Sequence, residues 1–191
     1  MDSKISKDQL LKQLYTRYPT CDSFPITQTG ATRVVYGHGP TTAKIMIIGE
    51  APGKDEDLQG KPFVGRSGQL LSKALTSAGL DKENLFITNV VKCRPPNNRI
   101  PTPQEIESYT SLLLLEEIKI IQPRVLLLLG AVATTAILKK TGITKLRGTM
   151  HQFLGAIVIP TLHPAYILRN QTALNLFCAD LKLAKKISFG E

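Results

Sequence analysis

Four short apolar runs constrain this chain more than any other feature: Ala43 to Ile48, Leu85 to Val91, Arg124 to Leu129 and Ile157 to Thr161. Each is too short for a helix, nearly continuous in its apolar character, and followed by a turn-rich loop, as expected of strands buried on both faces. Helical stretches separate them, and strands alternating with helices predict an α/β fold, a four-stranded parallel sheet with helices on both sides.

The helical stretches carry their own signals. Leu10, Leu11, Leu14, Tyr15 and Tyr18 share one face of a helix over residues 7 to 18, which Pro19 stops. Leu70, Leu71, Ala74, Leu75 and Ala78 make a second face, with Gly79 as its terminator. Thr102-Pro103-Gln104-Glu105 combines an N-cap, a first-turn Pro and a Glu three residues on, so a helix starts there and runs to about Ile121. Residues 131 to 140 and about 172 to 187 complete the set. In a parallel sheet the ligand crevice lies at the carboxyl ends of the strands. The loops there are Gly49 to Gly53, Lys92 to Arg99, Gly130 and His163 to Arg169, which gather most of the unusual residues.

Composition then removes whole classes. At 191 residues with 42% apolar positions there is material for a real core in one domain spanning residues 1–191, and none of the character of a disordered chain. No apolar run approaches the roughly 20 residues of a membrane span. The polar start Met1-Asp2-Ser3-Lys4 lacks the apolar core of a signal peptide, so a cytoplasmic protein without a membrane partner is expected. Three cysteines, an odd number, argue against a disulfide framework and leave reduced thiols or metal ligands. With 24 Lys and Arg against 15 Asp and Glu the net charge is +9, which suits phosphate without demanding it. Lys61, Arg66, Lys92, Arg94, Arg99, Arg147 and Arg169 sit beside the Gly- and Pro-rich stretches; Lys182, Lys185 and Lys186 read as a solvated helix face.

Neither a nucleophile elbow, nor a P-loop, nor a zinc-deaminase signature is present. Residue type alone leaves Phe63 open between core filler and pocket wall, Asn89 between a turn cap and a ligand reader, and His163 between a satisfied core histidine and a catalytic group. The blocks around them decide more. Gly49-Glu50-Ala51-Pro52-Gly53 with Glu56-Asp57 and Gly60-Lys61-Pro62-Phe63-Val64-Gly65, then Thr88-Asn89-Val90-Val91-Lys92-Cys93-Arg94-Pro95-Pro96-Asn97-Asn98-Arg99, then His163-Pro164-Ala165-Tyr166-Ile167-Leu168-Arg169 resemble, in order, the three motifs of family 4 uracil-DNA glycosylases. The likeness covers roughly residues 20 to 187.

That resemblance implies a three-layer α/β/α sandwich and the excision of uracil from single- or double-stranded DNA by a monomer. It also implies roles. Phe63 would stack on a flipped uracil, and Asn89 would read its edge, accepting from N3 and donating to O4. His163 would donate to O2 as the base departs, and Asn98 would position the water. Glu50 would shape the pocket or balance the sugar cation. Ala51 stands where the family has a small residue, so no carboxylate reaches the water from there. Arg66 and Ser67 would approach phosphates, and Ile167 and Leu168 with Arg169 would form the wedge that fills the gap in the stack.

One part of the family pattern is broken. The family holds a [4Fe–4S] cluster through four cysteines, whereas here Cys21 is followed by Phe24 and Cys93 by Tyr109, so two ligands are replaced. A cluster-free protein is expected, with Phe24 and Tyr109 packed into the vacated volume and Cys21 and Cys93 left as small buried thiols. A zinc on Cys21, Cys93 and His38 would lack a fourth ligand. Two other readings stand beside the glycosylase: a DNA-binding protein of the same fold with weak or no catalysis, and a glycosylase for another damaged base.

Overall fold

The computed structural model describes residues 5–24 and 30–190. Helix α1 (Lys7–Thr16) opens on a capping box in which Ser6 Oγ accepts from Gln9 N and Gln9 Oε1 accepts from Ser6 N. Strand β1 (Ile45–Gly49) is followed by α2 (Lys54–Gln59) and α3 (Arg66–Ser77), and β2 (Phe86–Asn89) by α4 (Pro103–Tyr109). A π turn at Thr110–Leu114 joins α4 to α5 (Leu115–Ile121). Then come β3 (Val125–Leu129), α6 (Gly130–Leu138), α7 (Ile143–Leu146), β4 (His151–Phe153), β5 (Ala156–Thr161), α8 (Pro164–Arg169) and α9 (Leu174–Phe189).

The sheet order is β2-β1-β3-β5-β4, with the first four strands parallel. β4 is an addition to the four-stranded expectation: three partly exposed residues pair antiparallel with β5 and cover what would otherwise be an open edge. Side chains of each central strand go alternately to two cores. Met46, Ile48, Leu126, Leu128 and Val158 pack with α1, the α4–α5 helix and α6. Ile45, Ile47, Val125, Leu127 and Ile159 pack with α3, α8 and α9 on the other face. This is the α/β/α sandwich, and both faces of the strands are dry because helices cover both.

Two expected devices are present in detail. Thr102 Oγ1 accepts from Glu105 N at 3.2 Å and Glu105 Oε2 accepts from Thr102 N at 2.7 Å, closing the predicted capping box. Gly79 adopts φ +72° while Leu80 N bonds to Leu75 O, the left-handed stop expected after α3. The segment after His163, expected as a loop, is instead the short helix α8 with His163 as its N-cap. From β1 the chain moves outward to β2 and then crosses back to β3 on the other side of β1, so the switch point lies between β1 and β3, and the loops after β1, β2 and β5 open at the carboxyl end of the parallel strands.

Candidate active site

A cleft of about 580 Å³ opens where those loops meet, lined by Glu50, Ala51, Phe63, Ser67, Asn89, Asn98, His163 and Arg169 among others. Residues far apart in sequence are brought together by the parallel topology. Asn89 is the last residue of β2, and its buried Oδ1 has no hydrogen-bond partner in the protein. Leaving a buried acceptor unmet costs about 1 to 3 kcal/mol, so its presence at a cleft points to a ligand donor. Gly49 makes room for it: a Cβ there would lie 2.4 Å from both Asn89 Oδ1 and Phe63 Cζ.

Phe63 is buried against the cleft with φ +53°, a conformation costly for a bulky residue. The surrounding bonds hold it. Glu56 accepts from Gly53 N at 3.1 Å, Val64 N at 2.9 Å and Gly65 N at 2.8 Å, tying the start of α2 to the start of α3. Lys82 Nζ donates to Phe63 O at 3.2 Å. Gly68 must be glycine, because a Cβ would meet Phe63 O at 2.0 Å. Glu56, which the motif blocks included without a task, and Gly68, which lies outside them, are positioning residues.

His163 faces Phe63 with ring centroids 6.1 Å apart. Its Nδ1 accepts from Ala165 N at 3.1 Å, which assigns the remaining proton to Nε2 and makes that atom a donor. Burial, helped by the charge of Arg169, lowers its pKa from 6.5 to about 4, so the ring is neutral at physiological pH. Gly130, at φ +88°, lets the ring approach; a Cβ would stand 2.9 Å from His163 Cβ. Burial also raises the pKa of Glu50. Asn98 is exposed on the rim, and its Oδ1 accepts from Arg94 Nε at 2.7 Å, which leaves one lone pair and the NH₂ group.

Several expectations need correction. Ile167 is 0% exposed, locked into the core between α8 and the sheet, so it cannot enter DNA from this position. The wedge expectation fails at Ile167 because the segment is a helix turn whose inner face carries that residue. Ile100, 71% exposed, and Tyr166 are the apolar side chains at the mouth of the cleft, and neither was singled out from sequence. Leu168 is half-buried, whereas Arg66 and Arg169 are exposed. Among the basic residues beside the loops, Lys92 is wholly buried on Glu117, Arg147 is paired with buried Asp180, and Arg99 grips Glu105 through Nη1 and Nη2. Lys92 and Arg147 thus have their charges met by buried carboxylates, whereas Arg99 stays 40% exposed on the wall of the cleft.

The four positions that would hold a cluster do converge. Phe24 and Tyr109 lie with ring centroids 4.2 Å apart and both are buried, while Tyr18 stacks on Phe24 at 5.1 Å. Cys21 and Cys93, however, form a disulfide, which overturns both the pair of free thiols and the argument against a disulfide. Two thiolates consumed and two aromatics in the remaining volume do not fit a four-thiolate cluster. Among the described residues no three His, Cys, Asp or Glu side chains are grouped to hold a metal. Cys178 is a free, half-buried thiol.

Comparison with known proteins agrees with this geometry. The sequence model described as the Uracil DNA glycosylase superfamily matches residues 36–184. The type-4 uracil-DNA glycosylase of Thermotoga maritima is 44% identical over 170 residues, covering 87% of this chain and 88% of that protein. The type-4 enzyme of Archaeoglobus fulgidus is 41% identical over 160 residues, 79% and 80%. That of Pyrobaculum aerophilum is 36% identical over 182 residues, 91% and 92%. With a cleft at the carboxyl end of the sheet lined by Phe63, Asn89 and His163, and likeness over most of its length to type-4 enzymes, the chain belongs to the uracil-DNA glycosylase superfamily.

Proposed function

We propose that this protein is a monofunctional uracil-DNA glycosylase that hydrolyses the N-glycosidic bond of a flipped deoxyuridine and leaves an abasic site, the opening step of base excision repair. The observation that carries the reading is the unpartnered Oδ1 of Asn89 inside the cleft. Uracil offers N3–H to that acceptor and O4 to the amide NH₂, whereas cytosine presents the reverse pattern.

The remaining groups supply the chemistry. As the C–N bond stretches, positive charge grows on the sugar and negative charge on the departing base, and fixed dipoles are the main source of rate. His163 donates from Nε2 to uracil O2 as a neutral imidazole, so it stabilises the anion without first having to gain a proton. Phe63 stacks on the base. Asn98 accepts from the attacking water through its free lone pair, and Glu50 supplies negative charge toward the sugar cation. Ala51 keeps the base floor small. Backbone near Ser67 and the exposed Arg66 and Arg169 take the phosphates, while Ile100, Tyr166 and Leu168 fill the space left in the stack.

We also propose that the activity needs no metal or cluster, and that the disulfide and the Tyr18–Phe24–Tyr109 stack do the structural work a cluster would do. Residues 1–191 then act as a single domain, as a monomer, in the cytoplasm. Among the described residues no helix is long and apolar enough to cross a membrane. The test uses end-labelled oligonucleotides, single- and double-stranded, carrying uracil, thymine or cytosine at one position, followed by alkali. Cleavage at uracil alone supports the reading; tight binding without cleavage would favour the DNA-binding alternative, and cleavage of another lesion but not uracil would favour a different glycosylase.

A further inference from the structure

Beneath Asn89 lies a buried charged network that the proposed chemistry does not use. Lys92, fully buried, folds back toward the end of β2 and donates from Nζ to three acceptors: Thr88 Oγ1 at 2.5 Å, Asn89 O at 2.6 Å and Glu117 Oε2 at 2.7 Å. Glu117, equally buried on α5, also accepts from Thr88 Oγ1 at 3.0 Å and from Tyr15 OH at 2.7 Å. All three ammonium donors are thus met. The network spans α1, α5 and the end of β2, yet Lys92 does not line the cleft.

A buried ion pair is a poor way to gain stability, since apolar side chains of similar volume commonly do as well or better. Its retention is better understood through what it holds. Asn89 is gripped on its backbone by Lys92, while its side chain carries the unpartnered acceptor that meets the ligand. The neighbouring backbone is pinned as well: Val90 N bonds to Gly49 O at 2.9 Å and Val91 N to Glu50 O at 3.0 Å. Asn89 therefore sits at a strand end fixed from below by the ammonium and from the side by the loop that carries Glu50.

We propose that Lys92, held by Glu117, is a positioning residue for Asn89 and thereby sets the recognition of the uracil edge. This rests on the uracil reading of the cleft. The prediction concerns coupling: Lys92 acts on excision through Asn89, so its loss should matter only while Asn89 is there to be placed.

The experiment is a double-mutant cycle read by single-turnover excision, enzyme in excess over a uracil oligonucleotide, with the parent, K92M/E117Q, N89A and the combined variant. Replacing both ionic partners avoids leaving one charge stranded in the core. The paired change should slow excision by about 10-fold to 10²-fold, the scale of a small misplacement of a reacting group, with affinity for uracil-free DNA unchanged. In the N89A background it should add nothing further. Losses that multiply in the combined variant, or parental rates with a lowered melting temperature alone, would overturn the proposal. A second readout is independent of turnover: the ¹⁵N-labelled side-chain amide of Asn89 should move or broaden in K92M/E117Q, and in T88V if the first variant fails to fold. An unchanged amide signal would overturn it too. A parent that excises no uracil would sink the activity reading, and the amide signal would still decide the positioning.

Discussion

Breaking the Cys21–Cys93 link is the perturbation whose size the structure fixes best. The two cysteines are 72 residues apart, and cross-linking a loop of that length removes chain entropy worth about 4 kcal/mol at 25 °C. Free buried thiols would behave differently, with each Cys→Ser change costing about 1 to 2 kcal/mol and the two costs adding. A disulfide is lost whole when either partner goes. C21A, C93A and C21A/C93A should therefore lose nearly the same amount, about 4 kcal/mol, and the parent treated with a dithiol should fall to the same level. Urea unfolding followed by circular dichroism reads this as a midpoint lower by about 2 M, given a slope of about 2 kcal/mol per molar. Thiol titration of the unfolded parent should find one reactive cysteine, Cys178, before reduction and three after. Additive losses, a midpoint indifferent to reductant, or three free thiols from the start would refute the argument. So would a brown protein prepared without air and carrying about four irons.

Other consequences follow from single sites. F24A opens a cavity between Tyr18 and Tyr109 and should cost about 3 kcal/mol in the same unfolding assay. Because His163 has its pKa lowered to about 4 when folded, the unfolded chain takes the proton first as pH falls. Its stabilising contribution is whole above about pH 6.5 and is lost toward pH 4; H163Q should flatten that decline by about 2 to 3 kcal/mol between pH 7 and 4.5, measured by unfolding at each pH. R169A and R66A should weaken binding to uracil-containing and uracil-free DNA alike and reduce its salt slope, whereas R147A, whose partner is Asp180, should lower stability instead.

Sequence pattern made the parallel sheet legible because its strands are buried on both faces, and an unbroken apolar run needs no partner to be read. The α4 cap and the Gly79 stop were legible for the same local reason. What escaped notice was non-local or too short. β4 is three half-exposed residues that owe their conformation to β5, and α8 is six residues whose burial of Ile167 depends on α3 and the sheet. The disulfide needs two residues 72 apart to meet, which no spacing rule reports. Lys92 was grouped with the basic residues beside the loops because its neighbours Arg94 and Arg99 are loop residues; Glu117, on a helix 25 residues later, is the partner that receives it inside. The cleft itself was the most readable part, since Glu50, Phe63, Asn89, Asn98 and His163 all fall in loops or strand ends that the topology gathers at one edge.

Whether Asn89 and His163 carry uracil excision is decided by the release of free uracil from a single-uracil oligonucleotide, measured under single turnover for the parent beside N89A and H163A. The parent should release stoichiometric uracil and both variants should be slower by at least about 10², with circular dichroism and DNA affinity unchanged. Parental rates in both variants, or no uracil released by the parent, would contradict those roles.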